Sequence, residues 1–245
     1  MVSFSPLLCL SSRRFTPGFP DPTLALEQPE GLLALGGDLS TERLLSAYRL
    51  GIFPWYEEGQ PILWWSPDPR CVFYPERFAP SRSLKRTLRH GAFEITLDRD
   101  FAGVIRACSE PRGPLYQDGG GQHGGGTWLN DAMIEAYIGL HHHGHAHAVE
   151  AWHEQRLVGG LYGVAIGQVF FGESMFSRIT DASKVCLFHL MRYLTAWGYR
   201  LTDCQVRSDH LARLGATLVP RREFLARIEH LCASDVSASA WKDTP

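Results

Sequence analysis

Two apolar runs in the second half of this chain each hold a single carboxylate where a buried strand would otherwise be wholly apolar. One is Val169-Phe170-Phe171-Gly172-Glu173-Ser174-Met175-Phe176, the other Leu201-Thr202-Asp203-Cys204-Gln205-Val206. Burying a carboxylate without a partner costs several kcal/mol, so any fold of this chain must bring a cation, a proton or hydrogen-bond donors to Glu173 and Asp203. If the protein supplies them, the two acids belong to a structural network. If it does not, they mark a site that receives a cation or a proton with its substrate. The residues alone leave both readings open.

The remaining bulk properties exclude more than they assign. At 245 residues the chain fits one large domain, or a small domain beside a medium one. A net charge of -2 provides no global field for nucleic acid, so any such contact must come from a local patch. The six cysteines (Cys9, Cys71, Cys108, Cys186, Cys204 and Cys232) lack CxxC pairing and read as reduced packing residues. No apolar stretch is long enough to span a bilayer. Met1 to Leu10 is mildly apolar, but Arg13 and Arg14 follow this run instead of preceding it, the wrong polarity for a secretory signal. A cytoplasmic protein is expected.

Residues 1–69 are rich in proline and turn signals and read as a small N-terminal domain. Within them, Asp38-Leu39-Ser40-Thr41 precedes Leu44-Leu45-x-x-Tyr48, and Gly51 closes a capped amphipathic helix. The composition changes near Pro69, and residues 70–245 read as a mixed α+β domain. Its expected helices are Ser81 to Arg89, Asp100 to Cys108, Asn130 to His143, Ser183 to Ala196 and Arg221 to His230. A strand is expected at Glu94 to Leu97. Ala146–Trp152, Leu157–Ile166 and Gln168–Glu173 should form an antiparallel meander, and Arg200 to Val206 a further strand. Such an order suggests a mostly antiparallel sheet with helices on both faces. Gly113 to Gly126 should be a loop, and the polar tail after Ala233 should fray.

Several local patterns carry chemistry as well as a plainer alternative. Arg82, Lys85, Arg86 and Arg89 share one helix face with no acid on that helix, which is either a solvated face or a phosphate-tracking patch. The run His141-His142-His143-Gly144-His145-Ala146-His147 straddles a helix end and a strand start, so it presents no clean ligand set and better suits a helix C-terminal dipole. No metal is expected. The glycines at 119–121 and 124–126 are not followed by GK[ST] and form no phosphate loop. No histidine lies near Cys204 in sequence, so a buried thiol is favoured over a nucleophile. Trp55, Trp64, Trp65 and Trp128 fall outside the apolar periodicity and serve either packing or stacking of a base.

Taken in order, these pieces resemble one family. Gly31-Leu32-Leu33-Ala34-Leu35-Gly36-Gly37-Asp38-Leu39, Gly51-Ile52-Phe53-Pro54-Trp55 and Trp64-Trp65-Ser66-Pro67-Asp68-Pro69-Arg70 are similar to leucyl/phenylalanyl-tRNA–protein transferases. So are Gly126-Thr127-Trp128, Gly144-His145-Ala146-His147, Gly172-Glu173-Ser174-Met175-Phe176-Ser177, Ala182-Ser183-Lys184 and Asp203-Cys204-Gln205. The resemblance runs from about residue 18 to 230. It departs from the usual pattern at the glycine-rich insertion 113–126 and at Leu161, where methionine is often found.

The resemblance implies a GNAT-like acyltransferase fold for the second domain, working without cofactor or metal. The donor would be leucyl-tRNA or phenylalanyl-tRNA, with methionine a possible third amino acid. The acceptor would be the α-amino group of a protein beginning with Arg or Lys, and the new peptide bond would mark it for degradation. No membrane is involved and a monomer is expected. Because an aminoacyl ester is already activated, proximity and orientation can supply roughly 7–11 kcal/mol of the barrier. Asp203 and Gln205 lie two apart on an expected strand and so share a face. By resemblance, Asp203 orients Gln205 and the pair holds the attacking amine. Glu173 and Asp203 would also meet the acceptor's cation. Leu161, Phe170, Leu190 and Leu194 are the candidates for the donor side-chain pocket. Trp55 and Trp128 would sandwich the terminal adenosine, and Arg82, Lys85, Arg86 and Arg89 would hold acceptor-stem phosphates. The competing classes are an acyl-CoA-dependent transferase, whose pyrophosphate loop is missing ahead of Ser183, and a non-catalytic RNA-binding module, which needs no Glu173 and Asp203 in its core.

Overall fold

The computed structural model describes residues 8–11, 18–110, 129–242 and 244. The first sheet comprises β1 (Leu8–Leu10), β2 (Leu32–Gly36), β3 (Phe53–Pro54) and β4 (Leu63–Trp65), in the spatial order β1-β2-β4-β3. Between β2 and β3 runs α1 (Thr41–Arg49). Its start is fixed by Ser40, whose hydroxyl accepts from the Arg43 amide, and it stops at Gly51 with φ +69°. A side chain at Gly51 would meet Leu225 Cδ2 at 2.7 Å, so glycine is needed here for space as well as for φ.

The second sheet is larger. It contains β5 (Arg70–Phe73), β6 (Glu94–Leu97), β7 (Ala146–His153), β8 (Arg156–Ile166), β9 (Val169–Ser177), β10 (Leu201–Asp203) and β11 (Thr217–Val219). Their spatial order is β11-β5-β10-β9-β8-β7-β6; only β9 and β10 run parallel. The parallel pair requires a crossover, and α5 (Ala182–Trp197) provides it. The other helices are α2 (Arg82–His90), α3 (Phe101–Ser109), α4 (Asp131–His142), α6 (Asp209–Arg213) and α7 (Arg221–Leu231).

Alternation along the strands sends neighbouring side chains to opposite faces. Val149, Leu161 and Phe170 face α5 and pack with Leu190 and Leu194. Ala148, Tyr162 and Phe171 face the other way and pack with Val104 of α3 and Tyr137 of α4. That second cluster also takes in Leu33, Trp64 and Tyr48, so the two sheets share one continuous core.

Three expectations need correction. The strand expected over Arg200 to Val206 ends at Asp203, because Gln205 adopts φ +54°, which no strand accommodates. The strand expected to end at Glu173 continues to Ser177. The tail expected to fray is packed: Trp241 stacks on His147 at 4.2 Å, lies 5.0 Å from Trp197, and donates from Nε1 to Tyr199 Oη at 2.8 Å. One large aromatic ring brings enough apolar area to order a short polar segment. The expected glycine-rich loop lies outside the described residues.

Candidate active site

The site forms where β9 and β10 part. The two strands pair through Leu201–Val169, Thr202–Phe170 and Asp203–Phe171, and no further. Beyond that point β9 bulges. Gly163 of β8 faces Gly172 and Tyr162 faces Ser174, so Glu173 is an extra residue without a cross-strand partner. A bulge of this kind re-aims a side chain. On the other arm Gln205 leaves the strand at positive φ, and its Nε2 comes within 3.3 Å of Glu173 Oε1. The opening is therefore bridged by two side chains from diverging strands.

The two carboxylates singled out from sequence have opposite environments. Asp203 is fully buried and already holds a cation. Arg70 donates from Nε to Oδ1 at 2.8 Å and from Nη2 to Oδ2 at 2.7 Å, while Nη1 donates to the Gly51 carbonyl at 3.0 Å. The guanidinium lies between the rings of Phe53 and Phe224, at 4.9 and 4.7 Å from their centroids. This geometry, planar, bidentate and stacked, makes burial of an arginine tolerable. Asp203 Oδ1 also accepts from the Gln205 amide at 2.9 Å. Asp203 thus orients Gln205 through the backbone, not through a shared strand face, and its charge is met by Arg70 instead of by a substrate cation.

Glu173 is partly accessible and has no ion-pair partner among the described residues. Its carboxylate accepts from Tyr48 Oη at 2.7 Å and from Tyr137 Oη at 2.9 Å, and the two tyrosine hydroxyls also touch each other. Desolvation pushes its carboxyl up to about 7, against the tyrosine hydrogen bonds, which pull it down; the nearby Asp203 pushes it further up and Arg70 opposes. Both tyrosines are fully buried and their own ionisation is pushed far up, first by desolvation and then by Glu173, so they remain neutral donors.

Other sequence-predicted residues are dispersed. Leu161, Phe170, Leu190 and Leu194 lie together, nearly fully buried between the sheet and α5, on the face away from Tyr48 and Tyr137. Trp55 is exposed, 5.8 Å from Trp65, and follows β3 just beyond Phe53. Trp128 lies outside the described residues. Arg82, Lys85, Arg86 and Arg89 are all exposed on α2. Next to them is a cavity of about 420 Å³ lined by Ser81, Leu84, Lys184, His210 and Arg213, among others, which adds further basic groups to the same side. In the histidine run, His141 and His143 direct Nδ1 at the Ala146 and Gly139 carbonyls around the end of α4, and His147 pairs with Asp98 at 2.7 Å. Burial pushes the Cys204 thiol well up, which makes it a poor nucleophile.

Arg70, Tyr48 and Tyr137 also belong to this site, and little in the sequence marks them for it. Arg70 closes the Trp64-to-Arg70 motif but carries no positional signal of burial. Tyr48 and Tyr137 look like ordinary apolar positions of amphipathic helices. The available hint was that a buried tyrosine hydroxyl must find a partner.

Two family models and a set of known proteins match this chain. The family model for leucyl/phenylalanyl-tRNA protein transferase matches residues 72–229, and that for the N-terminal domain of the same transferase matches residues 37–68. The leucyl/phenylalanyl-tRNA–protein transferase of Methylococcus capsulatus is 53% identical over 227 residues, 93% of each chain. That of Azotobacter vinelandii is 54% identical over 224 residues, 91% of this chain and 94% of the relative. That of Anaeromyxobacter is 56% identical over 210 residues, 86% and 85% respectively. Among solved structures, L-PGS from Bacillus licheniformis superposes with a TM-score of 0.39 and 11% identity over 70% of this chain and 51% of that one, too distant to assign a fold family. With both family models matching in order and relatives above half identity across most of its length, the chain belongs to the leucyl/phenylalanyl-tRNA–protein transferase family.

Proposed function

We propose that this protein transfers Leu or Phe from aminoacyl-tRNA to the α-amino group of proteins beginning with Arg or Lys, at the opening between β9 and β10. The observation that carries this reading is Glu173: a carboxylate at an accessible break in the sheet, not neutralised by any cation of the described chain. An acceptor beginning with Arg or Lys brings two cations, its α-ammonium and its side chain, to that one negative group. Gln205, locked by its backbone bond to Asp203, presents an amide beside it and holds the amine near the ester carbonyl. No activation step is required, because the donor ester is already reactive and positioning does the work.

The rest of the donor fits around this point. We read the exposed face of α2, extended by Lys184 and Arg213, as the surface that meets tRNA phosphates. Trp55, and Trp128 two residues beyond the glycine-rich insertion, serve as stacking rings for the terminal adenosine. The apolar cluster of Leu161, Phe170, Leu190 and Leu194 takes the donor side chain, which requires α5 to yield slightly against the sheet. Residues 70–245 act as a GNAT-like transfer domain, and residues 1–69 as a smaller domain whose Tyr48 and Gly51 complete the site. Cytoplasmic location follows from the need for aminoacyl-tRNA; no helix among the described residues is long and apolar enough to cross a membrane.

The test is direct. Purified protein is incubated with labelled leucyl-tRNA and a peptide beginning with Arg, Lys or Ala, with acetyl-CoA as an alternative donor. Leucine should appear on the α-amine of the Arg and Lys peptides, with little on the Ala peptide and no acetylation. Acetyl transfer without leucyl transfer would favour the acyl-CoA class instead.

A further inference from the structure

Three oxygen-bearing groups meet at the bulge of β9: the Glu173 carboxylate and the hydroxyls of Tyr48 from α1 and Tyr137 from α4. Every pair is in hydrogen-bond contact: Tyr48 with Glu173 Oε1 at 2.7 Å, Tyr137 with Glu173 Oε2 at 2.9 Å, and Tyr48 with Tyr137. Three oxygen–oxygen contacts need three protons to be fully made. A tyrosine hydroxyl brings one proton each, and an ionised carboxylate brings none. With Glu173 ionised the ring is one proton short, and two oxygens face each other with nothing between them. Protonating Glu173 on Oε2 supplies the third proton: once that O–H turns toward Tyr137 and the Tyr137 hydroxyl turns from Oε2 to Tyr48, each of the three contacts holds one proton and the ring is closed.

The accessible lone pairs say where that proton arrives. Glu173 Oε1 already accepts from Tyr48 and lies 3.3 Å from Gln205 Nε2. Oε2 accepts from Tyr137 alone, which leaves one acceptor position there. The other titratable groups near Glu173 do not compete. Asp203 is held by Arg70, and Tyr162 on β8 is buried and pushed far above its usual ionisation range.

We propose that Tyr48, Tyr137 and Glu173 form a proton-accepting triad, in which Glu173 takes the proton from the acceptor's α-ammonium while the two tyrosines, as positioning residues, hold its carboxylate and complete the ring once that proton arrives. The proposal rests on the aminoacyl-transfer reading above. The α-ammonium gives one proton to Glu173, and the neutral amine attacks the ester carbonyl. The N–C bond forms, the C–O bond to the ribose breaks, and a second N–H proton ends on the departing ribose hydroxyl. Glu173 then returns its proton to solvent. The elevated affinity of Glu173 for a proton suits a base working near neutrality. Asp203, fully engaged by Arg70, is a positioning residue for Gln205.

The experiment compares single-turnover pH profiles of the wild type, Tyr48→Phe, Tyr137→Phe and Glu173→Gln, using leucyl-adenosine as donor and an Arg-initiated peptide. Removing either hydroxyl takes a donor from the carboxylate, so the acidic limb should move up by about one pH unit. The acceptor's own amine titrates identically in all four reactions, so any difference between limbs belongs to the protein. In Glu173→Gln that limb should vanish and the plateau fall by about 10²-fold or more. In parallel, carbon NMR of glutamate-labelled protein follows the Glu173 carboxyl, identified by its absence in Glu173→Gln, and its titration should move up in both Phe variants. A lowered plateau with an unmoved limb and unmoved titration would make the tyrosines structural and overturn the triad. If the wild type transfers nothing from leucyl-adenosine or leucyl-tRNA, the functional reading fails, and the NMR titration still decides whether the three groups share a proton.

Discussion

Arg70 grips the Asp203 carboxylate with two parallel hydrogen bonds, at 2.8 and 2.7 Å, and neither side chain retains any exposed surface. Asp203→Asn therefore leaves a buried guanidinium short of its counter-charge, and Arg70→Met strands a buried carboxylate. Each single change should cost about 3–5 kcal/mol of stability, read as a large fall in the urea midpoint. Pairing Arg70→Met with Asp203→Leu should recover part of it. If Asp203→Asn unfolds at the wild-type urea concentration, the pair is not what holds β5 to β10.

Stability should also carry the signature of Glu173. Folding raises this carboxyl from its ordinary 4.5 to about 7, so folding favours the protonated form. That contribution is fully present below about pH 4.5 and is lost as pH rises through about 7. Relative to Glu173→Gln, which cannot ionise, the wild type should lose up to about 3 kcal/mol between pH 4 and pH 8. Chemical unfolding of both proteins at several pH values measures it; a constant difference would place the Glu173 carboxyl in an ordinary aqueous environment.

Gln205 allows function and folding to be separated. Its φ of +54° strains a residue with a Cβ, and glycine adopts that conformation freely. Gln205→Gly should keep wild-type stability to within about 1 kcal/mol, yet lose transfer by about 10²-fold, the scale for removing a positioned catalytic group. Gln205→Ala should lose the same activity and be the less stable of the two. Normal turnover in Gln205→Gly would remove the side chain from the reaction.

The α2 patch predicts a donor-dependent effect. Changing Arg82, Lys85, Arg86 and Arg89 to Glu should raise KM for full-length leucyl-tRNA while leaving KM for leucyl-adenosine unchanged. Affinity for the full tRNA should fall with added salt as phosphate contacts release counterions, and fall less steeply in the variant. Equal damage with both donors would assign α2 to the active site or to packing.

The same sequence signal, a carboxylate in an apolar run, had three different outcomes in this fold. Glu150 was not singled out, yet it is fully buried and satisfied by Thr96, the Arg99 amide and the Asp100 amide. Asp203 proved to be paired with Arg70 within the protein, and of the three only Glu173 is partly accessible, with no ion-pair partner among the described residues. Periodicity revealed most helices and the β7–β9 meander, because each is long enough for its apolar face to repeat. It could not reveal the bulge at Glu173 or the turn at Gln205, which depend on how β9 and β10 diverge. Nor could it place Arg70, whose burial is made possible by Phe53 and Phe224, 17 and 154 positions away in the chain. Trp241 was missed because one aromatic outweighed the polar composition around it.

The central claim is that aminoacyl transfer takes place at Glu173, in the opening between the two parting strands. The most direct measurement is the single-turnover rate with saturating leucyl-adenosine and an Arg-initiated peptide, in the wild type and in Glu173→Gln, at a pH above the acidic limb. The account predicts that the variant remains folded, binds the donor with unchanged affinity and transfers at least about 10²-fold more slowly. A variant that transfers at the wild-type rate would contradict it.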